Sequence, residues 1–377
     1  MMRASMAGRQ GSTSNGRSRC TPQRRRDGDG SAPARSMERI GVAFTGGLTP
    51  PEVVECVRLA EELGYESAWV AEGHGGDQFS ILTASAVATT RIVLGTSISS
   101  VFVRSAPTIA MAAACVDHFS RGRFVLGLGS SHKVQVEPEH GLTFSEPLQR
   151  LRECVEIVRG LLRDGEVSYS GGVLNIERFD LWFEPFRKEI PIYLAGLFPT
   201  MLRVSGQIAQ GVLLTWCTLE HAKSVAGHVA EGAAQAGRSP KDVDVATLLP
   251  CSISRDKGEA QEAMRGAIAS YAARFPRYRR LMAECGFSDE VEAVRHAWAQ
   301  GARSRALRLV PSDLIEKITL AGTPEESRRR IALYRGAGID LPIISPRGSG
   351  PHAKAQVVEA IRACAPGQRP EAAQTMR

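Results

Sequence analysis

The sequence lacks the features that identify several large classes of protein. Its 377 residues contain no apolar run of the ~18–20 residues that a membrane-spanning helix needs. It has no Gly-x-Gly-x-x-Gly motif of dinucleotide-binding folds, no P-loop motif and no Gly-x-Ser-x-Gly nucleophile elbow. Its eight cysteines include no Cys-x-x-Cys pair, and its eight histidines show no metal-ligand spacing. We therefore expect no membrane association, no metal site and neither a Rossmann nor a P-loop fold.

The chain also lacks a surplus of charge outside its first residues. The formal net charge is +7, but residues 1–36 hold eight arginines against two aspartates and account for six of these charges. The remaining residues carry 39 basic and 38 acidic side chains. Because a nucleic-acid partner requires a basic surface, composition gives no support for nucleic-acid binding by the rest of the chain.

The two ends of the chain differ in composition from the rest. Residues 1–36 have almost no aliphatic side chains, so we expect a disordered basic tail. Two alternatives stay open: an arm that binds an acidic partner, and translation that begins at Met37. We expect one folded domain over residues 37–366 and a disordered tail over 367–377. The scattered cysteines lie mostly in apolar runs, which indicates a reduced, cytoplasmic protein.

Short apolar runs bounded by glycine and polar residues predict eight strands. These are residues 40–44, 68–71, 92–97, 124–128, 191–194, 212–215, 243–249 and 341–344. Helical patterns separate most of them, and the segments that begin at Thr49 and Thr323 have the sequence of a capping box. Alternating strands and helices require a parallel sheet, and eight repeats favour a (β/α)8 TIM barrel. Two stretches depart from the repeat: a β-hairpin insertion around 165–190 and a helical insertion around 271–320.

Active sites of such barrels lie in the loops that follow the strands. After the second strand, Glu72 and His74 flank a glycine and suit proton transfer or hydrogen bonding to a planar ring; a water-exposed turn is the alternative. After the fourth strand, residues 129–133 offer hydroxyls and a cation for an oxyanion. After the fifth, residues 195–200 lead into a helix whose N-terminus suits a phosphate.

Three cations, Arg104, Lys133 and Arg203, are expected to face an anionic ligand at these loops. The residues alone therefore predict a barrel enzyme with a loop-built site for a flat, anionic ligand.

Four segments occur in an order that is typical of one family. They are residues 69–74 (WVAEGH), 94–98 (LGTSI), 106–107 (AP) and 117–129 (DHFSRGRFVLGLG), of which the last is the most specific. Together they resemble the luciferase-like monooxygenase superfamily, and more narrowly its coenzyme F420-dependent branch, typified by methylenetetrahydromethanopterin reductase. The resemblance extends from about Glu38 to Pro346.

The resemblance implies a luciferase-like (β/α)8 barrel, usually dimeric, so we expect a homodimer. It also implies a non-prolyl cis peptide bond between Ser97 and Ile98 that backs the cofactor ring. Glu72 and His74 match the loop beside the reactive edge of the ring and are the expected catalytic residues. The expected cofactor-binding residues are Gly73, Ser97, Ile98, Ser100, Gly129, Ser130, Ser131, Ala195, Gly196 and Leu197. Some relatives have tyrosine in place of His74, and several are richer in glycine around Leu197 and Phe198.

The function expected from the resemblance is hydride transfer between F420 and a small organic substrate. Two alternatives remain: an FMN-dependent monooxygenase on the same fold, and a non-catalytic flavin-binding barrel. Substrate identity is expected to depend on the two insertions, because loops of barrel enzymes vary most.

Overall fold

A computed structural model describes residues 39–367. The predicted tails at 1–36 and 367–377 therefore lie outside the described residues, apart from Gly367. Within the described part, no helix is both long and apolar enough to cross a membrane.

Eleven strands occur in the described part of the chain. They are β1 (Gly41–Phe44), β2 (Ser67–Val70), β3 (Val93–Thr96), β4 (Ser99–Ser100), β5 (Phe124–Gly129), β6 (Glu166–Ser170), β7 (Asn175–Asp180), β8 (Ile192–Ala195), β9 (Gly211–Thr215), β10 (Asp244–Cys251) and β11 (Leu341–Pro346). Eight of them pair in parallel in the order β1, β2, β3, β5, β8, β9, β10 and β11, and β11 pairs with β1. This closed barrel confirms the predicted fold, and each barrel strand ends within two residues of its predicted bounds.

Helices lie between the barrel strands, and several of them form the helical insertion between β10 and β11. They are α1 (Pro50–Glu62), α2 (Gln78–Ala88), α3 (Ala106–Ser120), α4 (Lys133–His140), α5 (Pro147–Asp164), α6 (Pro199–Ile208), α7 (Leu219–Gln235), α8 (Lys257–Arg274), α9 (Pro276–Met282), α10 (Ser288–Ala299), α11 (Arg303–Arg308), α12 (Ser312–Ile318), α13 (Pro324–Gly336) and α14 (Ala353–Ala363). The predicted capping boxes at Thr49 and Thr323 both form, and each is followed by proline in the first turn.

The barrel interior is filled by side chains rather than left open. Trp69 and Tyr193 lie there with their ring centroids 5.6 Å apart, surrounded by aliphatic residues of the other strands. The indole of Trp69 rests directly on Gly95, where a Cβ atom would overlap the ring. A solid interior fixes the positions of the strand ends, so the loops that follow them have a rigid base.

A side chain adds to the pairing of β3 with β5 in the barrel. The hydroxyl of Thr96 donates to the carbonyl of Gly127 and accepts from its N–H, both at 2.8 Å. A Cβ atom at position 127 would overlap the carbonyl oxygen of Thr96. This close approach places the segment after β3 against the end of β5.

Both predicted insertions are present, with shifted bounds. The hairpin is β6 and β7, which pair antiparallel. The helical insertion begins earlier than residue 271, because Asp256 caps α8 by accepting from the backbone N–H groups of Gly258 and Glu259. Helix α4 occupies a stretch for which only a loop was expected, since its Pro138 and its polar residues obscure the helical pattern.

Candidate active site

A cavity of about 550 Å³ opens at the carboxyl ends of the barrel strands. Ten of the twelve predicted site residues line it: Glu72, Gly73, His74, Ser97, Ile98, Ser130, Ser131, Ala195, Gly196 and Leu197. The fold therefore brings together residues from four separate loops, as parallel strands of a barrel do when their carboxyl ends meet at one face.

The other two predicted residues, Ser100 and Gly129, lie behind the cavity wall. The backbone N–H of Ser100 donates to Glu72 Oε2 at 2.8 Å, and its hydroxyl accepts from the backbone of Phe102 and Val103. At Gly129 a Cβ atom would press on the side chain of Ile98. Both residues therefore support residues of the cavity wall and do not themselves line the cavity.

Glu72 is held by the protein on both carboxylate oxygens. The guanidinium of Arg104 donates to Oε1, while Oε2 accepts from the Ser100 N–H and, at 3.4 Å, from the Ser99 hydroxyl. Arg104 also binds Asp77, which caps α2 through the N–H of Ser80. Because Arg104 is paired with two carboxylates, it is not available to an anionic ligand.

His74 lies at the mouth of the cavity, with 79% of its side chain exposed. Its Nε2 is 3.3 Å from Oε2 of Glu139 on α4, and Oε1 of the same carboxylate accepts from Arg274 of α8 at 3.2 Å. One carboxylate thus connects the loop after β2 to the helical insertion. This contact orients the imidazole over the cavity.

The wall after β3 has the backbone geometry that the resemblance implies. The peptide bond between Ser97 and Ile98 is cis, which confirms the prediction. The hydroxyls of Ser97 and of Thr45, after β1, are both buried, and neither has a hydrogen-bond partner among the described residues. Two residues of the cavity lining therefore have hydroxyls with unused hydrogen-bonding capacity.

The segment after β5 forms a tight turn beside the wall that follows β3. Ser131 adopts a left-handed backbone conformation with φ of 54°. Arg277, from α9, reaches across the cavity, and its Nη1 lies 3.3 Å from the Ser130 hydroxyl. No acidic side chain of the described residues pairs with Arg277, so it is an unneutralised cation at this end of the cavity.

The helical insertion contributes an aromatic wall that the sequence did not predict. Tyr271, Phe275 and Tyr278 pack on one another, and His132 lies edge-on to Phe275 at 4.9 Å and tilted to Tyr278 at 5.2 Å. Burial, with a smaller contribution from the charge of Arg277, lowers the pKa of His132 to about 4, so the imidazole is neutral at physiological pH. The wall is therefore apolar and uncharged.

The cations at the cavity differ from those expected. Arg203 pairs with Glu231 and Lys133 with Glu137, and neither lines the cavity. Arg274, Arg277 and Arg347 line it instead. An arginine on a helix or at a strand end gives no signal in a single sequence, since its role depends on which elements pack together.

Comparison with known proteins agrees with the barrel fold. The family model for luciferase-like monooxygenases matches residues 25–341. The chain belongs to the luciferase-like monooxygenase family. The protein is thus a member of a family of enzymes. Its Ser97–Ile98 segment and the polar loops around the cavity lie where barrel enzymes have their active sites.

Similar proteins include two with assigned activities and one solved structure. A 5,10-methylenetetrahydromethanopterin reductase of Archaeoglobus fulgidus is 28% identical over 325 residues, which is 85% of this chain and 96% of that protein. An F420-dependent glucose-6-phosphate dehydrogenase of Beutenbergia cavernae is 27% identical over 79% of this chain and 88% of its own. The structure of the F420-dependent tetrahydromethanopterin reductase of Methanopyrus kandleri aligns with a TM-score of 0.77 at 26% identity, covering 86% and 97% of the two chains.

Proposed function

We propose that this protein is an F420-dependent oxidoreductase that transfers a hydride between the deazaflavin and a small organic substrate. The observation that supports this most directly is a cavity wall made by the Ser97–Ile98 segment, with unpartnered hydroxyls at Ser97 and Thr45. Relatives that cover most of this chain carry F420 in their names, which favours this cofactor over FMN.

The residues present suit a flat, anionic cofactor. Ile98 offers an apolar surface for a ring, and the Ser97 hydroxyl is an unused hydrogen-bonding group beside it. The turn at Ser130 and Ser131, together with the unneutralised Arg277, provides donors for an anionic tail. Residues 195–197 and the start of α6 complete this side of the cavity.

Bound in this cavity, F420 supplies a two-electron hydride and reacts poorly with oxygen. The protein then has to orient the substrate, exclude water and move a proton. We assign the proton transfer to His74, because Glu139 orients its ring at the mouth and its side chain reaches the cavity. Glu72 already accepts hydrogen bonds on both oxygens, so its role is to position the loop. The aromatic wall of α8 and α9 excludes water.

A fluorescence titration with F420 and with FMN tests this proposal. We expect F420 to bind at least tenfold more tightly than FMN, because relatives that cover most of this chain are F420-dependent. Arg277→Gln is expected to weaken F420 binding about tenfold, since it removes a charge-assisted contact. Tighter binding of FMN contradicts the proposal and favours the monooxygenase. F420 binding with no turnover on any substrate panel favours a non-catalytic barrel.

We propose that the protein acts as a cytoplasmic homodimer. The seven cysteines of the described part are unpaired, as expected in a reducing compartment. Met111, Cys115 and Phe119 form one stripe on α3, and Val87 of α2, which is 69% exposed, adjoins it. Sedimentation velocity is expected to show a dimer for the wild type and a monomer for Phe119→Glu; a monomeric wild type contradicts the homodimer.

A further inference from the structure

Arg347 is a cation in the active-site cavity that has no role in the proposed hydride transfer as described above. It follows β11 and lines the cavity. Its Nε is buried, and none of its side-chain nitrogens has a hydrogen bond or an ion pair among residues 39–367. Arg347 is half-buried, and an anion that enters the cavity would meet a guanidinium with no competing carboxylate.

The barrel topology separates Arg347 from the residues expected to hold the cofactor. In the closed order of eight strands, β11 lies directly across the barrel from β5. Ser130 and Ser131 follow β5 and bind at the Arg277 end of the cavity. Arg347 therefore enters the cavity from the strand opposite β5, and Tyr278 lies within electrostatic range of both Arg277 and Arg347.

The surroundings of Arg347 are aromatic. Its guanidinium carbon is 6.0 Å from the ring centroid of Trp216 and 6.0 Å from that of Tyr271, and these two rings are 4.8 Å apart. Trp216 follows β9 and adopts a left-handed backbone with φ of 56°, which is rare for a bulky residue and is maintained here by nearly complete burial. The backbone N–H of Arg347 donates to Cys251 at 2.9 Å, which fixes its position.

We propose that this side of the cavity is the substrate subsite, and that the substrate is an organic anion with an apolar or planar body. Arg347 binds its carboxylate or phosphate, and Tyr271 with Phe275 contacts its body. This inference rests on the proposed function, because it names the class of substrate for that reaction. The remaining charged groups at the cavity are paired: Glu72 with Arg104, and Arg274 with Glu139. Arg347 and Arg277 therefore serve two different anions.

Calorimetric titration of the full chain with three probes tests the subsite. The probes are benzoate, phenyl phosphate and benzyl alcohol, each added to protein with and without F420. We expect the wild type to bind benzoate or phenyl phosphate. For the anion that binds more tightly, Arg347→Gln is expected to lower the affinity about 10–100-fold, because it removes a charge-assisted hydrogen bond. Which anion binds more tightly distinguishes a carboxylate from a phosphate substrate. Benzyl alcohol is expected to bind both proteins equally.

Matched variants separate this subsite from the cofactor site. Arg277→Gln is expected to leave the anion affinity within twofold of the wild type, and Arg347→Gln to leave the F420 affinity within twofold. Arg347→Lys keeps the charge and loses the planar guanidinium, so its affinity for the anion is expected to fall by only about fivefold. This variant keeps the test usable if Arg347→Gln folds poorly.

Three results overturn the proposal. They are equal anion affinity in the wild type and Arg347→Gln, no anion binding by the wild type, and loss of F420 affinity in Arg347→Gln in place of anion affinity. Because the probes are also titrated without F420, a wild type that fails to bind F420 disproves the proposed function and leaves this test readable.

Discussion

Replacement of His74 by glutamine is expected to lower kcat by about 10²–10⁴-fold, the usual contribution of a positioned acid or base. Glutamine keeps the size and polarity of the side chain and removes its ability to exchange a proton. The affinity for F420 is expected to stay within threefold, because His74 lies at the mouth and is largely exposed. The rate is measured with any substrate that the wild type turns over, from the absorbance of F420.

Two further variants make this result specific. Glu139→Gln is expected to lower kcat about tenfold with little change in KM, because the carboxylate orients His74 at 3.3 Å and does not reach the reacting atoms. His140→Gln, on the exposed end of α4, is the matched control and is expected to have no effect. If Glu72→Gln abolishes turnover while His74→Gln leaves it intact, proton transfer belongs to Glu72.

The low pKa of His132 simplifies the interpretation of the pH profile. With a pKa of about 4, this imidazole stays neutral between pH 5 and pH 9. An inflection of kcat near neutral pH therefore does not come from His132.

Gly127→Ala is expected to lower the free energy of unfolding by about 3–5 kcal/mol. The new Cβ overlaps the carbonyl oxygen of Thr96, so β3 and β5 have to separate where the barrel closes. Two hydrogen bonds between Thr96 and Gly127 are lost or lengthened, each contributing about 1 kcal/mol. Urea denaturation of both proteins measures the difference.

The control for this substitution is Gly227→Ala. Position 227 is in α7, and a Cβ atom there contacts nothing within 4 Å. Alanine in an exposed helix is expected to stabilise the protein by about 0.5–1 kcal/mol, so the two glycines should give changes of opposite sign. If Gly127→Ala is as stable as the wild type, β3 and β5 can move apart at this point without loss of stability. That result would contradict the tight contact between Gly127 and Thr96.

The sequence allowed the barrel to be predicted because its signals are local. Each strand is a short apolar run that ends at glycine or polar residues, and the caps at Thr49 and Thr323 use neighbouring side chains. Helix α4 was missed because Pro138 lies inside it, and the start of α8 was missed because its cap, Asp256, precedes a polar first turn.

The site was predicted in part for the same reason. Glu72 and His74 follow one predicted strand and Ser97 ends another, so the barrel topology alone places them at the mouth. Ser100 lies behind the cavity wall, because it belongs to the short strand β4 and its backbone N–H donates to Glu72. Arg277 and Arg347 were not found, since their approach to the cavity depends on how α9 and β11 pack in three dimensions.

A crystal structure of the F420 complex tests the central claim most directly. The account predicts density for the deazaflavin ring against Ile98, with the anionic tail toward Ser130 and Arg277 and with Arg347 free on the other side of the cavity. Density for the tail at Arg347, or F420 bound outside the cavity that Glu72 and His74 line, would contradict the account.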